Sequence, residues 1–395
     1  MAVESSKLPY LQLRLVPQMT RVRFYALIDH FQSAEAVFGA TAKEIAALRG
    51  FDEQLAREIL EAPRAISCEK ELELIERYGV RLVTLEDDDY PENLRQSSFA
   101  PPLLYVRGSL TSEDRYALAV IGSRRATQYG RAIAQEFSGQ LARWGLTVVS
   151  GFARGIDSEA HEAALRAGGR TIGVLGNGLA VCYPPENRAL EKRILENGAL
   201  VSEYPMETPP DRFNFPERNH LIATLSLGTL VVEAAEKSGA LITAKEALEE
   251  NRFVFAVPGD ITRQNSRGTN ALIQQGAKLV QSASDILAEM RHVLRGYLRE
   301  DFVANADGSK GHPNGREAAP VNRSTGEHSN HTTNLSSEEA EVLSLLREEP
   351  LYFDVLLSKL DPERFNVQRL ASVLLSLEMK QAIRQMPGKL YMVLR

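Results

Sequence analysis

The sequence contains only two cysteines, Cys68 and Cys182, among its 395 residues. They are far apart and lack the spacing of metal ligands, which argues against a disulfide framework or a metal site and fits a reducing compartment. Long hydrophobic runs are equally scarce, since no segment has the uninterrupted apolar stretch that a signal peptide or a membrane span needs. We therefore expect a cytoplasmic protein that does not engage membranes.

An excess of positive charge is also missing. The chain has 46 lysines and arginines against 52 aspartates and glutamates, which gives a formal net charge of −6. Overall charge therefore does not predict an anionic partner, and such a partner would have to be met by a local concentration of cations. The composition, 44% hydrophobic and 25% charged, is that of an ordinary globular protein, and the length indicates two or three domains.

Four regions are distinguished by their patterns. Residues 1–85 contain short amphipathic segments and predict a small helical domain of the helix-hairpin-helix or SAM-like kind. Residues 86–298 alternate short β-branched runs with amphipathic helices, which predicts an α/β fold with an extended Rossmann-like, doubly wound parallel sheet. Residues 299–334 are polar and lack periodicity, so we expect a flexible linker. Residues 335–395 show three helices and a hairpin, the order of a winged-helix domain.

The third helix of this winged-helix domain carries few cations. Arg369 and Lys380 are the basic residues near it, and Glu378 offsets them. A helix that reads DNA normally presents a basic face. The pattern therefore favours a protein-interaction or structural module.

One strand-turn-helix unit, residues 119–134, reads AVIGSRRATQYGRAIA. Its order is that of a dinucleotide-binding unit, but Arg124 and Arg125 stand where a G-x-G-x-x-G loop has further glycines. The end of the next strand, at residues 150–151, reads Ser-Gly where an NAD site keeps an acidic residue. We therefore expect no dinucleotide and no other cofactor.

Cations follow every predicted strand of the sheet. Because the ligand crevice of a doubly wound sheet lies beyond the carboxyl ends of its strands, these cations should meet at one edge. Repeated cations suit the phosphates of a polynucleotide, and interleaved aromatic rings suit its bases, so the pattern predicts a groove for single-stranded nucleic acid. The cations are Arg124, Arg125, Arg154, Arg188, Arg212, Arg218, Lys237, Arg263 and Arg267, and the aromatic residues are Phe152, Tyr183, Tyr204, Phe213 and Phe215.

Several motifs occur together in a family-specific order over roughly residues 87–290. VIGSRRATQYG, VVSGFARGIDSEAHEAAL, CYPPENRAL, FPERNHLIATLS and VVEAAEKSGALITAKEALE closely resemble the DNA-processing protein A family (DprA), also called Smf. The resemblance implies single-stranded DNA binding, a homodimer that meets through residues 270–280, and a role in DNA recombination during competence. It further implies loading of the recombinase RecA onto incoming DNA in natural transformation, with single-strand-binding protein as a further partner.

Matching these motifs residue by residue implies a set of DNA-binding positions. The family usually reads Arg-Asn-Arg at this position, whereas this chain has His220 after Arg218 and Asn219, which removes a fixed positive charge. Together with the strand-end pattern, the expected DNA-binding residues are Gly122, Ser123, Arg124, Arg125, Gly151, Phe152, Arg154, Gly155, Arg188, Arg218, Asn219, His220 and Lys237.

No catalytic residue is predicted. The chain has no Walker A sequence and no G-x-S-x-G elbow, and HEAAL at 161–165 lacks the second histidine of a zinc helix. Asp157 and His161 have the spacing of an acid–base pair, but we interpret them as a helix-dipole contact and a hydrogen bond within the loop. The alternative function is a phosphoribohydrolase that acts on nucleoside monophosphates. The signature of these enzymes is P-G-G-x-G-T-x-x-E, and SLGTLVVEA of this chain resembles it. The leading P-G-G is absent, however, and Glu233 lies one residue too far from Gly228 and Thr229.

Overall fold

The computed structural model describes residues 4–97, 99–294, 297, 336–348, 351–361, 364–380, 382–386 and 390–393. The chain divides into two compact units, Met1–Asp307 and Gly308–Arg395. The predicted linker, residues 299–334, lies outside the described residues. Within the described part of the chain, no helix is both long enough and apolar enough to cross a membrane.

A nine-stranded sheet forms the centre of the first unit. Its strands are β1 Val80–Thr84, β2 Leu103–Gly108, β3 Ala117–Ile121, β4 Thr147–Ser150, β5 Thr171–Val174, β6 Gly198–Ser202, β7 Gly228–Val231, β8 Phe253–Ala256 and β9 Lys278–Leu279. The spatial order is β1-β2-β6-β5-β4-β3-β7-β8-β9. The pairs β1–β2 and β2–β6 are antiparallel, and all other neighbours are parallel. The predicted doubly wound, mostly parallel sheet is thus confirmed.

The strands are short and apolar because helices cover both faces of the sheet. Successive residues of a strand point to opposite faces. In β3, Leu118 and Val120 accordingly join one buried cluster, whereas Ala119 and Ile121 join another. The helices of this unit are α1 Leu8–Arg14, α2 Arg21–Phe31, α3 Ala34–Gly39, α4 Ala42–Ala46, α5 Glu53–Ala65, α6 Glu69–Tyr78, α7 Glu92–Arg95, α8 Gln128–Arg143, α9 Ile156–Arg166, α10 Arg188–Glu196, α11 Asn214–Thr224, α12 Gly239–Glu249, α13 Gln264–Gln274 and α14 Ala283–Met290.

The N-terminal helices and the sheet share one hydrophobic core. Leu11 of α1 and Leu27 of α2 belong to the same buried cluster as Tyr105 of β2 and Leu200 of β6. Strand β1, which falls within the predicted helical domain of residues 1–85, pairs with β2 at the edge of the sheet. The boundary expected near residue 85 therefore lies inside a continuous packed unit.

The second unit has the winged-helix order. Its helices are α15 Ser337–Glu348, α16 Phe353–Lys359 and α17 Val367–Met379, and its strands β10 Leu351–Tyr352, β11 Ile383–Met386 and β12 Leu390–Val393 form an antiparallel sheet. Two cations at the third helix are paired with acids of α15. Arg369 makes two hydrogen bonds to Glu338, at 3.0 and 3.2 Å, and Lys380 pairs with Glu339 at 2.7 Å. This pairing leaves α17 with little free positive charge.

Candidate nucleic-acid interface

A groove of about 1230 Å³ opens beyond the carboxyl ends of the central strands. It lies where the chain, having run from β3 outward to β6, returns to β7 on the other side of β3. Ligands of doubly wound sheets bind at this reversal of strand order. Seven of the predicted DNA-binding residues line the groove, namely Gly122, Ser123, Arg124, Arg125, Arg218, Asn219 and Lys237.

A second, much smaller cavity of about 20 Å³ adjoins the groove. Arg124, Tyr183 and Phe215 border both spaces. The smaller cavity is also lined by three further predicted residues, Gly151, Phe152 and Arg154.

The groove has free positive charge. Arg124, Arg125, Arg212 and Lys237 line it, and none of them forms an ion pair within the described part of the chain. Arg267 also lines the groove, but its guanidinium is 3.8 Å from the carboxylate of Glu236. The first four cations can therefore bind a phosphate group without first breaking an ion pair with a carboxylate.

Aromatic rings lie beside these cations. The guanidinium of Arg124 is 5.0 Å from the centre of the Phe215 ring, which stacks in turn on Tyr183 at 5.8 Å. The guanidinium of Arg212 lies 4.6 Å from the Phe213 ring, and Phe213 is 64% exposed. Phe213 is not part of the groove lining, but it directly follows Arg212, which is, and its exposed ring can stack on an unpaired base.

Arg154 has an acidic partner. Its guanidinium makes two hydrogen bonds to the carboxylate of Glu186, one of them between Nη2 and Oε2 at 3.0 Å. Both side chains are about half exposed, at 52% each. Sequence reasoning identified Arg154 but not this pairing, because the partner comes from the loop that follows β5.

Arg218 forms the floor of the groove and is only 4% exposed. Its Nη1 donates to the carbonyl oxygens of Gly151, at 2.8 Å, and Val174. Burial lowers the pKa of Arg218 to about 10, and Asp157 opposes that shift. Asp157 also lines the floor, and burial raises the pKa of its carboxyl, although Arg218 and Arg124 act to lower it.

Two of the predicted aromatic residues do not face the groove. Phe152 is 1% exposed and Tyr204 is 6% exposed, so both rings belong to the core. The backbone of Phe152 has a φ of +56°, and its carbonyl oxygen accepts a hydrogen bond from Asn187 Nδ2 at 2.9 Å. The interpretation of these two rings as stacking platforms is therefore wrong, because their faces are covered by protein.

His220 is also buried, at 2% exposure, and does not line either cavity. Its Nδ1 lies 2.7 Å from Arg21 Nη1, and its Nε2 lies 3.1 Å from the carbonyl oxygen of Phe99. Since the arginine must be the donor, Nδ1 accepts and Nε2 carries the ring proton. His220 thus joins α11 to α2 and lies behind the groove.

Arg188 and Gly155 lie outside the lining of both cavities as well. Arg188 is exposed at the start of α10. Gly155 has a φ of +78° and lets its loop pack on the turn after β3, where Ile156 donates its backbone N–H to Ser123. Gly155 therefore supports the turn that carries Arg124.

Sequence reasoning missed part of the lining. Gln264 and Asn265 at the start of α13 border the groove, and Asn265 Nδ2 donates to the carbonyl oxygen of Arg125 at 3.1 Å. The search for cations after each strand identified Arg263 and Arg267 in this segment. It did not identify the uncharged amides between them, because they carry no charge.

The fold and groove define an α/β protein whose cationic cleft lies at the reversal point of a doubly wound sheet. The profile of the family described as DNA recombination-mediator protein A matches residues 81–291, and that of the DprA winged helix domain matches residues 327–389. The chain belongs to this DNA recombination-mediator protein A family.

Several proteins are similar to much of this chain. Protein Smf of Synechocystis is 38% identical over 67% of this chain and 67% of its own length. Protein Smf of Escherichia coli is 44% identical over 60% of this chain, and the match spans 63% of that protein. The X-ray structure of DNA processing protein A from Streptococcus pneumoniae superposes with a TM-score of 0.63 and 34% identity, covering 73% of this chain and 99% of that chain.

Proposed function

We propose that the protein binds single-stranded DNA in this groove in preference to duplex DNA. The observation that carries the proposal is the set of four unpaired cations that line the groove, Arg124, Arg125, Arg212 and Lys237, together with the exposed ring of Phe213 next to Arg212. Repeated cations bind the phosphates of any strand, whereas a ring stacks only on a base that is not already stacked in a duplex. The combination therefore favours single strands.

Fluorescence anisotropy titrations with matched single-stranded and duplex DNA test this proposal. We expect tighter binding of the single strand and a steep loss of affinity with salt, since each phosphate contact releases counterions. Lys237→Ala should weaken binding. Lys43→Ala, which alters an exposed lysine of α4, is the matched control and should not. Equal affinity for both forms of DNA would contradict the proposal.

We propose further that binding serves recombination, by helping RecA to coat single-stranded DNA that single-strand-binding protein already covers. Membership in a family of recombination mediators supports this role. A homodimer would hold DNA at two grooves, and Leu279, 42% exposed on the edge strand β9, is an apolar residue suited to its interface. Filament-assembly kinetics with and without the protein provide the test, and unchanged kinetics would refute the RecA role.

We also propose that the protein is not an enzyme. Glu233, the acid of the alternative phosphoribohydrolase interpretation, is 4% exposed, and its carboxylate accepts hydrogen bonds from the backbone N–H, at 3.0 Å, and the hydroxyl of Thr127. This engagement at the start of α8 favours a structural role. Incubation with nucleoside monophosphates should release no free base, and release of base would favour the alternative.

A further inference from the structure

The floor of the groove contains a feature that phosphate binding does not explain. Asp157 is 7% exposed and presents a carboxylate among the cations of the groove, whose other acid, Glu236, is exposed and lies 3.8 Å from Arg267. Its Oδ2 accepts a long hydrogen bond, 3.4 Å, from the backbone N–H of Ala153. A carboxylate at this position repels phosphate. A ligand that uses it must therefore bring N–H groups, and the parts of DNA that carry them are the bases.

A donor lies next to this acceptor. A Cβ atom built on Gly151 would be 2.7 Å from Asp157 Oδ2 and 2.8 Å from Arg218 Nη2, so both groups crowd the same backbone position. Arg218 Nη1 is engaged by two carbonyl oxygens, whereas Nη2 has no hydrogen-bond partner in the described part of the chain. The floor thus combines two carboxylate oxygens as acceptors with one guanidinium edge as donor.

Guanine is the base that this arrangement fits. Its N1–H and N2–H groups are adjacent donors that can meet the two oxygens of one carboxylate, and its O6 is an acceptor for a guanidinium. Adenine, cytosine and thymine do not have two adjacent ring-edge donors of this kind. A single strand can present this edge because its bases are not paired.

We propose that Asp157 and Arg218 read guanine, so that the groove prefers strands that place a guanine on its floor. The proposal rests on the proposed function, since it concerns the same groove. Cations along the walls then hold the backbone of any sequence, and the floor adds a preference at one nucleotide.

The test uses the full chain and oligothymidine strands of about 12 nucleotides that carry one central guanine, hypoxanthine, adenine or cytosine. Hypoxanthine stacks like guanine but lacks the N2 amine, so it separates hydrogen bonding from stacking. We expect the guanine strand to bind about tenfold more tightly than unmodified oligothymidine, and the hypoxanthine strand to lose most of that gain. Binding of all strands within about twofold of one another would overturn the proposal.

Asp157→Asn is the informative variant, because an amide replaces one acceptor oxygen with a donor. It should lose the preference for guanine, so that the guanine strand and oligothymidine bind this variant with similar affinity. Glu236→Gln is the matched control, since Glu236 is the exposed acid of the same groove. This variant should keep the preference. A guanine preference that persists in folded Asp157→Asn would overturn the proposal.

The two proposals fail in different ways. If every strand binds tightly but equally, the reading of guanine is wrong and single-stranded DNA binding stands. If no strand binds better than duplex DNA, the proposed function itself fails. If Asp157→Asn does not fold, the comparison of guanine with hypoxanthine on the unmodified protein still decides.

Discussion

The guanidinium of Arg124 lies over the ring of Phe215, 5.0 Å from its centre. Arg124 belongs to the turn after β3, and Phe215 to the first turn of α11. A cation over an aromatic face gains roughly 0.5–1 kcal/mol at an exposed site, so the ring orients the arginine without neutralising it. The charge stays available to a phosphate at the mouth of both cavities.

Arg124→Ala should therefore weaken binding of every single strand alike. Loss of one phosphate contact reduces the slope of log affinity against log salt by about 1, with no change in sequence preference. Anisotropy titrations at several salt concentrations measure both quantities. Unchanged affinity in a folded variant would remove Arg124 from the site.

Two variants serve as controls for this result. Arg124→Lys keeps the charge but not the planar group that stacks on Phe215, so it should restore binding only in part. Arg57→Ala removes an exposed arginine that pairs with Glu53 on α5, outside the groove, and should leave the affinity unchanged.

Glu186→Gln should strengthen binding, because it releases Arg154 from its carboxylate partner. Solvent screens an exposed ion pair, so we expect a gain of no more than about fivefold in affinity. The gain should shrink as the salt concentration rises, because salt already weakens the Arg154–Glu186 pair in the unmodified protein. Glu162→Gln, which frees Arg193 outside the groove, is the matched control. Weaker binding by Glu186→Gln would show that the pair holds Arg154 in its DNA-binding position.

The lining of the groove by Arg124 and Lys237 could be predicted from the sequence, because the carboxyl ends of parallel strands meet at one edge. The direction in which each individual side chain points could be predicted less well. Arg218, Asn219 and His220 are successive residues of one helix, and each step turns by about 100°, so all three cannot lie on the same face. Helical periodicity could have separated His220 from the other two. Its contact with Arg21 could not be foreseen, since that residue comes from α2.

For the same reason, the sequence did not predict that the ring of Phe152 is buried or that His161 contacts Thr171. Phe152 stands in a loop rich in glycine, where sequence pattern does not indicate which side chain turns inward. The sequence predicts a hydrogen bond of His161 within its loop, but the structure buries this residue and places its Nδ1 2.6 Å from Thr171 Oγ1 on β5. Both outcomes depend on packing between segments that are distant in the chain.

Gly155→Ala should destabilise the first unit. The φ of Gly155 is +78°, and a Cβ atom there would clash with the carbonyl oxygen of Ser123 and lie 2.8 Å from that of Arg124. Backbone strain of this kind costs about 1–3 kcal/mol, and relief of the clash requires the Arg124 turn to move. Urea unfolding should show the loss of stability, and single-stranded DNA should bind more weakly.

Gly168→Ala is the matched control for this prediction. Gly168 also has a positive φ, +75°, but a Cβ atom built there meets nothing within 4 Å. This variant should lose only the conformational part, about 1 kcal/mol, and should bind DNA normally. Equal losses for the two variants would show that the contact with the Arg124 turn adds nothing.

His161 should make stability depend on pH. Its ring is buried, and burial lowers its pKa from 6.5 to about 3. Between these values the unfolded chain binds a proton that the folded chain does not, so the free energy of unfolding falls as pH falls. The slope for one such group is about 1.4 kcal/mol per pH unit, and its stabilising contribution is fully present only above the pKa of the unfolded chain.

Comparison with His161→Leu isolates this contribution. The leucine does not titrate, and Thr171 keeps its own hydrogen bond, in which its hydroxyl donates to the carbonyl oxygen of Val148 at 2.7 Å. Buried Asp157, whose pKa is raised, acts with the opposite sign but is present in both proteins, so it cancels in the difference. Urea unfolding at about pH 7.5, 6 and 5 should therefore show the unmodified protein losing stability relative to the variant once the pH falls below 6.5. Parallel pH profiles for the two proteins would mean that His161 takes up its proton without unfolding, through an opening of the loop that covers it.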